Sequence, residues 1–182
     1  MNRELLILGL LRGWDTHGYQ LVDFLEKRLA YLVDLKKPTT YALLERLRRD
    51  GHVTMTVERE GNRPERRVYQ VTSEGEAYFF RLLRENLRSF ARPRFPNAIG
   101  IYFIQALPSE EAEALLNERL SALEEELQEF EPKVPAHAGL AAEPVLQHYV
   151  VHLQAERTWL TSLLRTLVEA HRQRSLPTEA AE

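Results

Sequence analysis

The chain has 182 residues, 44% hydrophobic and 28% charged, which is the composition of a globular protein with a buried core. It has no cysteine, which excludes disulfides, thiolate zinc sites and cysteine nucleophiles and fits a reducing cytoplasm. The formal net charge is −3, but residues 1–92 hold 17 Lys and Arg against 13 Asp and Glu, and residues 93–182 hold 7 against 14. The basic first half suits a polyanionic partner, and the acidic second half does not.

Three helices are predicted in the first 50 residues. The first, residues 3–12, is strongly apolar, and Gly13 follows it as a stop signal. The second covers roughly residues 17–33, after Asp15 or Thr16 as the cap, with leucines and a valine on one face. The third begins near Pro38 and runs to about residue 50, where Gly51 can end it.

A β-hairpin and a fourth helix follow. In HVTMTVERE, apolar and polar residues alternate with the period of a half-buried strand, and RVYQVT continues as a second strand. The turn Glu60–Pro64 joins the two strands, and arginines 63, 66 and 67 crowd around it. Ser73 to Glu76 has the form of a capping box, which predicts a fourth helix running to about Phe90.

The second half is predicted to be helical throughout. RPRFP, residues 92–96, contains two prolines and is the predicted domain boundary. An apolar run at 97–107 precedes a helix that begins with Ser109 as its cap and reaches Phe130. A last helix of about 28 residues starts at Glu143-Pro144, and the tail 175–182 is predicted to be disordered.

The order of elements predicts a mainly α protein. Residues 1–92 are predicted to form a winged helix-turn-helix domain with a two-stranded β-hairpin wing, and residues 97–174 an α-helical dimerisation domain, to which the family resemblance given below adds an effector role. The two long helices of the second half carry narrow apolar seams that one helix cannot cover alone. A homodimer through these C-terminal helices is the preferred interpretation, and an intramolecular bundle is the alternative.

Four blocks of the first half together resemble the PadR family of transcriptional regulators. They are LILGLL (6–11), HGYQL (17–21), TYALLERLRRDGHV (40–53) and NRPERRVYQVTSEG (62–75). The resemblance implies a winged-helix domain that binds double-stranded DNA, a helical dimerisation domain and, in many members, a small hydrophobic or aromatic effector. Lys36-Lys37-Pro38 stands where the family usually has a Ser-Pro-Gly type of helix start.

The third helix carries most of the candidate DNA contacts. On a helical wheel its leucines face one way, and the opposite face holds a small alanine among charged residues. Helix-turn-helix proteins read the major groove from the first part of this helix. The candidates for base or phosphate contact are Lys36, Lys37, Thr39, Tyr41, Ala42 and Arg46.

The wing supplies the remaining candidates. Arg63 and Arg66 lie at a turn that Asn62 and Pro64 hold in a projecting shape, and exposed ion pairs at such a tip would contribute only about 0–1 kcal/mol to stability. Phosphates or a narrow minor groove are therefore the expected partners of these arginines. Arg67 begins the strand and is a weaker candidate.

Other functional classes have less support. His148 and His152 have a chelating spacing with Glu156 one turn on, but a solvated helix face explains them better, and no metal or cofactor is predicted. Trp14, Trp159, Tyr102, Phe103 and Tyr149 can line an effector pocket, although aromatic residues at helical spacing usually form core.

No Walker loop, G-x-S-x-G or HExxH motif occurs, so the chain is predicted not to be an enzyme. No apolar run approaches the roughly 20 residues of a membrane span, and no signal peptide is predicted, so the expected location is the cytoplasm. The prediction is a regulator, more often a repressor in this family, that binds a palindromic operator as a homodimer. The alternatives are a winged-helix protein–protein interaction module and a small-molecule sensor without operator binding.

Overall fold

The computed structural model of the chain describes residues 2–13, 16–59, 66–136 and 142–175. The chain divides into two compact units, Met1–Arg92 and Pro93–Glu182. No helix in the described part of the chain is long and apolar enough to span a membrane.

The described residues of the first unit form four helices and three strands. Its helices are α1 (Asn2–Gly13), α2 (Gly18–Arg28), α3 (Lys37–Arg49) and α4 (Ser73–Arg88), and its strands are β1 (Thr16–His17), β2 (Val53–Glu58) and β3 (Arg66–Val71). Helix α1 lies in the middle, as its apolar sequence predicts, because Ile7 and Leu8 are completely buried and α1 packs against α3, α4 and β3. Leu44 and Leu47 of α3 complete the same core. The predicted helix–helix–helix–hairpin–helix order is confirmed.

The sheet has one strand more than predicted. Its order is β1-β3-β2, with both pairs antiparallel. In β1, Thr16 pairs with Tyr69 and His17 with Val68, so the segment predicted to cap or open the second helix is a strand instead. A two-residue strand has too few residues to show the alternation by which strands are recognised in a sequence.

Helix α2 ends five residues earlier than predicted. It stops at Arg28, and a tight turn follows in which the amide of Leu32 donates to the carbonyl of Leu29 at 3.0 Å. Leu29 and Val33 still contact the core, and Leu35 is buried. The apolar spacing is thus satisfied by a turn that folds back on the core, and periodicity alone cannot distinguish this turn from another helical turn.

The cap of α4 is Thr72, not the predicted Ser73. The Thr72 hydroxyl accepts a 3.0 Å hydrogen bond from the amide of Gly75 and donates at 2.7 Å to the carbonyl of Gly51. Ser73 is the first helical residue, and its hydroxyl bonds the carboxylate of Glu74 instead. At position 75 a Cβ would lie 2.0 Å from the His52 carbonyl oxygen, so only glycine fits at this close approach.

The second unit is a helical bundle. It contains α5 (Ala98–Tyr102), a 3₁₀ turn (Ile104–Ala106), α6 (Ser109–Phe130), α7 (Lys133–Ala136) and α8 (Glu143–Ser175). The bounds of α6 are those predicted, but Pro108 occupies the cap position and Ser109 is the first helical residue. Helix α8 is 33 residues long and extends past the predicted end at residue 172. The remainder of the predicted tail lies outside the described residues.

The apolar seams of α6 and α8 pack against each other within the chain. Leu116 of α6 and Leu160 and Leu164 of α8 form a buried cluster, and Ile101 and Ile104 cover it. Glu110 pairs with His171 at one end and Glu126 with Tyr149 nearer the other, so the two helices run antiparallel. Within one chain, therefore, α6 and α8 cover much of each other's apolar seam.

Candidate nucleic-acid interface

The start of α3 is fixed by a contact from α2. Lys36 has extended backbone angles and caps no amide with its side chain, and Pro38 lies in the first turn. The carboxylate of Glu26 accepts a 3.1 Å hydrogen bond from the amide of Lys37, which satisfies one of the free amides at the helix start. Thr40 is completely buried behind this turn. The first turn of α3 is thereby tied to the helix that precedes it.

The two faces of α3 are those predicted from the wheel. Leu44 and Leu47 are buried, Leu43 is half-buried, and the opposite face exposes Ala42 with Glu45, Arg46 and Arg49. Thr39 and Tyr41 are half-buried on the flanks.

Lys36 and Lys37 are exposed just before and at the helix start. The ammonium of Lys36 lies 3.4 Å from Asp34, and both side chains remain mostly in solvent. This loose contact leaves Lys36 available to another anion.

A cleft of about 330 Å³ opens between α2, α3 and the wing. It is lined by Gly18 and Tyr19 at the start of α2, Tyr41 of α3, and Arg66 and Arg67 of β3. Tyr41 and Arg66 were both predicted as DNA contacts, and the structure brings them to one site. Two phenols and two guanidinium groups around an open cleft offer several hydrogen-bond donors and a positive charge, which suits a phosphate.

Two further residues line the cleft: Tyr19, which was not among the predicted contacts, and Arg67, which was predicted as a weaker candidate than Arg63 and Arg66. Tyr19 lies at the start of α2, is 51% exposed and lines the cleft. The signal that could have found it is the block HGYQL, where a tyrosine follows a glycine at a helix start. Arg67 lies opposite Val57 in the ladder and faces the cleft beside Arg66.

Gly18 allows the two sides of the cleft to approach each other. A Cβ at this position would lie 2.9 Å from the ring of Tyr69 and 3.3 Å from the ring of Tyr41. A larger residue would therefore push Tyr41 or Tyr69 outward. Position 18 therefore favours glycine because of close packing, and not because of its backbone angles.

Arg46 does not join the cleft. Its guanidinium bonds the carboxylate of Glu4 in α1, and the same carboxylate accepts a 2.9 Å hydrogen bond from the hydroxyl of Tyr78 in α4. Burial favours the neutral acid, but the bonds from Tyr78 and Arg46 outweigh it and hold the pKa of Glu4 below its ordinary value. Arg46 is thus already paired with a carboxylate.

Arg63 and the rest of the wing tip, residues 60–65, lie outside the described residues. Arg66 is the first residue of β3 and is half-buried, with Glu58 opposite it in the ladder. This glutamate offsets part of the positive charge of the wing, as the sequence indicates.

The second unit offers less defined candidates. The Nε2 atoms of His148 and His152 lie 3.1 Å apart on the exposed side of α8, and Glu156 pairs with Arg119. Among the residues that the structure describes, no group of three or more His, Cys, Asp or Glu could hold a metal ion. Tyr102 and Phe103 are mostly exposed. Trp14 lies outside the described residues.

Known proteins share this architecture. Residues 7–81 match the family model described as Transcriptional regulator PadR-like family. The Negative transcriptional regulator PadR of Bacillus subtilis (strain 168) is 26% identical in an alignment 171 residues long, which covers 87% of this chain and 93% of that protein.

Two solved structures of Bacillus subtilis PadR have a similar fold. PadR in complex with operator DNA gives a TM-score of 0.79 at 22% identity, covering 90% of this chain and 98% of that chain. PadR in complex with p-coumaric acid gives a TM-score of 0.74 at 20% identity, covering 90% of this chain and 97% of that chain. At this level of identity the likeness establishes the fold, a winged-helix unit followed by a helical unit.

Proposed function

The chain belongs through its first unit to the PadR-like family of transcriptional regulators, and we propose that it regulates transcription by binding an operator as a homodimer. The family is one of regulators, not of enzymes. In this proposal α3 enters the major groove and the β2–β3 wing lies on the adjacent backbone. The protein acts in the cytoplasm, where its DNA partner is found.

One observation carries the proposal, namely the cleft beside the recognition helix. Tyr19, Tyr41, Arg66 and Arg67 converge there from three separate elements. A phosphate held in this cleft would fix the register of α3 on the duplex, because phosphate contacts position a protein and base contacts specify its sequence. The net positive charge of residues 1–92 supports the same partner.

Base reading is assigned to the first half of α3. Thr39 and Ala42 lie on its accessible side, where a hydroxyl can bond a base edge and a small side chain allows close approach. Lys36 and Lys37 bind phosphates at the helix start, and Arg63 at the wing tip reaches the neighbouring backbone or minor groove. Arg46 contacts DNA only if it leaves Glu4.

The homodimer forms through the C-terminal helices. Their shared seam is filled within the chain, but Leu115 of α6 and Val151 and Trp159 of α8 remain between 41% and 54% exposed. A second copy covers these side chains and spaces two α3 helices for the two halves of a palindromic site.

Repression and release by an effector are the finer part of the proposal. A relative is described as a negative regulator, and a structure of similar fold contains p-coumaric acid. We infer by this likeness that the chain represses and that a small aromatic or hydrophobic molecule releases it from DNA. The second unit is the proposed place of effector binding.

The test removes the positive side of the cleft. Arg66→Ala together with Arg67→Ala should weaken binding to every DNA sequence and reduce the salt dependence by about one to two phosphate contacts per wing. Arg84→Ala with Arg88→Ala is the charge-matched control, since these two arginines of α4 are exposed and do not line the cleft.

Titrations with operator and random duplexes at several salt concentrations measure the affinity and its salt dependence. Circular dichroism checks that each variant is folded. Unchanged affinity and slope in the folded Arg66 and Arg67 variant would contradict the proposed interface. A protein interaction module or a ligand sensor would then be the better interpretation.

A further inference from the structure

Glu4 joins three helices of the first unit at one carboxylate. It lies in the first turn of α1, its side chain is only 12% exposed, and it binds Arg46 of α3. The second partner is the Tyr78 hydroxyl of α4, which donates at 2.9 Å. The residues are 42 and 74 positions away from Glu4 in the sequence, so the arrangement is a product of the folded unit.

The acidic partners in other ion pairs of this unit are more open to water than Glu4. Arg12 and Glu76, which join α1 to α4, have side chains 32% and 40% exposed, and Glu45 and Arg48 of α3 are 61% and 44% exposed. Exposed pairs exchange easily with solvent and other ions. The Glu4 carboxylate is shielded and held by a second hydrogen bond, so its hold on Arg46 is harder to break.

Arg46 would otherwise be well placed for DNA. It lies one helical turn beyond Ala42 on the accessible face of α3, and its side chain is still 45% exposed. A free guanidinium at this position could bind any phosphate that came near the middle of the recognition helix. Such a contact adds affinity without adding sequence information.

We propose that Glu4 is a specificity-determining residue that acts through Arg46: it holds the guanidinium against α1 and keeps it from gripping phosphates on every DNA sequence. The inference rests on the proposed function, because it concerns the same recognition helix. A residue of the first helix would then influence the ratio between operator affinity and non-specific affinity. Glu4 is a positioning residue and touches no DNA.

The test uses a nearly isosteric change that removes the negative charge holding Arg46. Glu4→Gln should raise the affinity for random duplexes several-fold. It should also steepen the salt dependence of binding by about one phosphate contact per winged-helix unit. Operator affinity should rise less, so the ratio of operator to random binding should fall. The double variant Glu4→Gln with Arg46→Ala should return random-DNA affinity and slope to those of the unaltered protein.

Glu76→Gln is the matched control. It removes the same charge from another ion pair of α1 without touching α3, so it should leave the salt slope near that of the unaltered protein. Circular dichroism at the temperature of the titrations establishes that each variant is folded.

The outcomes separate the inference from the proposed function. If the unaltered protein binds no DNA, the proposed function falls and this inference falls with it. If it binds but folded Glu4→Gln shows no gain on random DNA, only the inference is overturned. A gain that persists in the double variant would also overturn it, because the freed guanidinium of Arg46 could then not be the cause.

Discussion

The hydroxyl of Tyr149 donates a 2.8 Å hydrogen bond to the carboxylate of Glu126 and so joins α8 to α6. Burial of the phenol, and then the bond to this carboxylate, raise the pKa of Tyr149 to about 12 from 10.0. The folded state therefore holds the phenolic proton more tightly than the unfolded state. The corresponding stability is fully present below pH 10 and is lost as the pH rises toward about 12.

Tyr149→Phe should lower the free energy of unfolding by about 1 kcal/mol at neutral pH, because the hydrogen bond to Glu126 is lost. The difference from the unaltered protein should narrow as the pH passes from 10 toward about 12, since phenylalanine does not titrate. Urea unfolding followed by circular dichroism at neutral and alkaline pH measures it. Tyr102→Phe, at an exposed ring, is the control. A difference that stays constant with pH would show that the bond does not set the titration.

Thr72→Ala should destabilise the first unit by about 0.5–2 kcal/mol, which is the usual effect of losing a helix cap. The loss also removes the bond to the Gly51 carbonyl, so the upper part of this range is expected. Ser73→Ala is the comparison, because Ser73 lies inside the helix and caps no amide. Thermal or urea unfolding of the two variants distinguishes them. Equal losses of stability in the two variants would support the predicted capping box, in which Ser73 is the cap.

Thr39→Ala should weaken operator binding more than binding to random DNA. A lost base contact costs about 1–3 kcal/mol and affects only the sequence that supplies the matching base. Competition titrations with operator and random duplexes at one salt concentration measure the ratio. Thr161→Ala on α8 is the control, because it removes a threonine that lies away from the proposed DNA contacts. The same loss on both duplexes would mean that Thr39 contacts phosphate only.

Val151→Glu should weaken the homodimer without unfolding the protomer. Val151 is 54% exposed, so a carboxylate there meets water in one copy and an apolar surface in the dimer. Burying it should raise the dissociation constant of the dimer by roughly tenfold or more. Sedimentation over a range of concentrations measures this, and Gln147→Glu, one turn away on an exposed position, is the control. An intact dimer in both variants would place the contact elsewhere.

The fold followed from local patterns wherever an element was long enough to show one. The leucines of α3, the alternation in β2 and the apolar steps of α6 each repeat several times, so their periods are unambiguous. The two-residue strand β1 has no period. The end of α2 depends on a chain reversal that keeps Leu29 and Val33 on the core, and that reversal is a tertiary effect.

Some residues of the candidate site could be predicted from their types and positions, but the contacts between them could not. Tyr41 and Arg66 could be named from helix and hairpin positions, and the fold brings them to one cleft. Tyr19 was not predicted because its place in the cleft depends on α2 lying beside Arg66 and Arg67 of β3, which no local pattern shows. Arg46 was named correctly as an accessible arginine of α3, but its partner Glu4 lies 42 positions earlier, and no local pattern connects the two.

The central position of β3 has a consequence for the energetics of binding. At Val68 and Tyr69 the strand is paired on both edges, with β1 on one side and β2 on the other, and β1 leads directly into Gly18. The start of α2 and the base of the wing are therefore joined by backbone hydrogen bonds before any DNA arrives. The conformational entropy of bringing Tyr19 beside Arg66 and Arg67 is lost on folding, not on association. The cleft is in this sense preorganised, and complex formation should require little backbone ordering there.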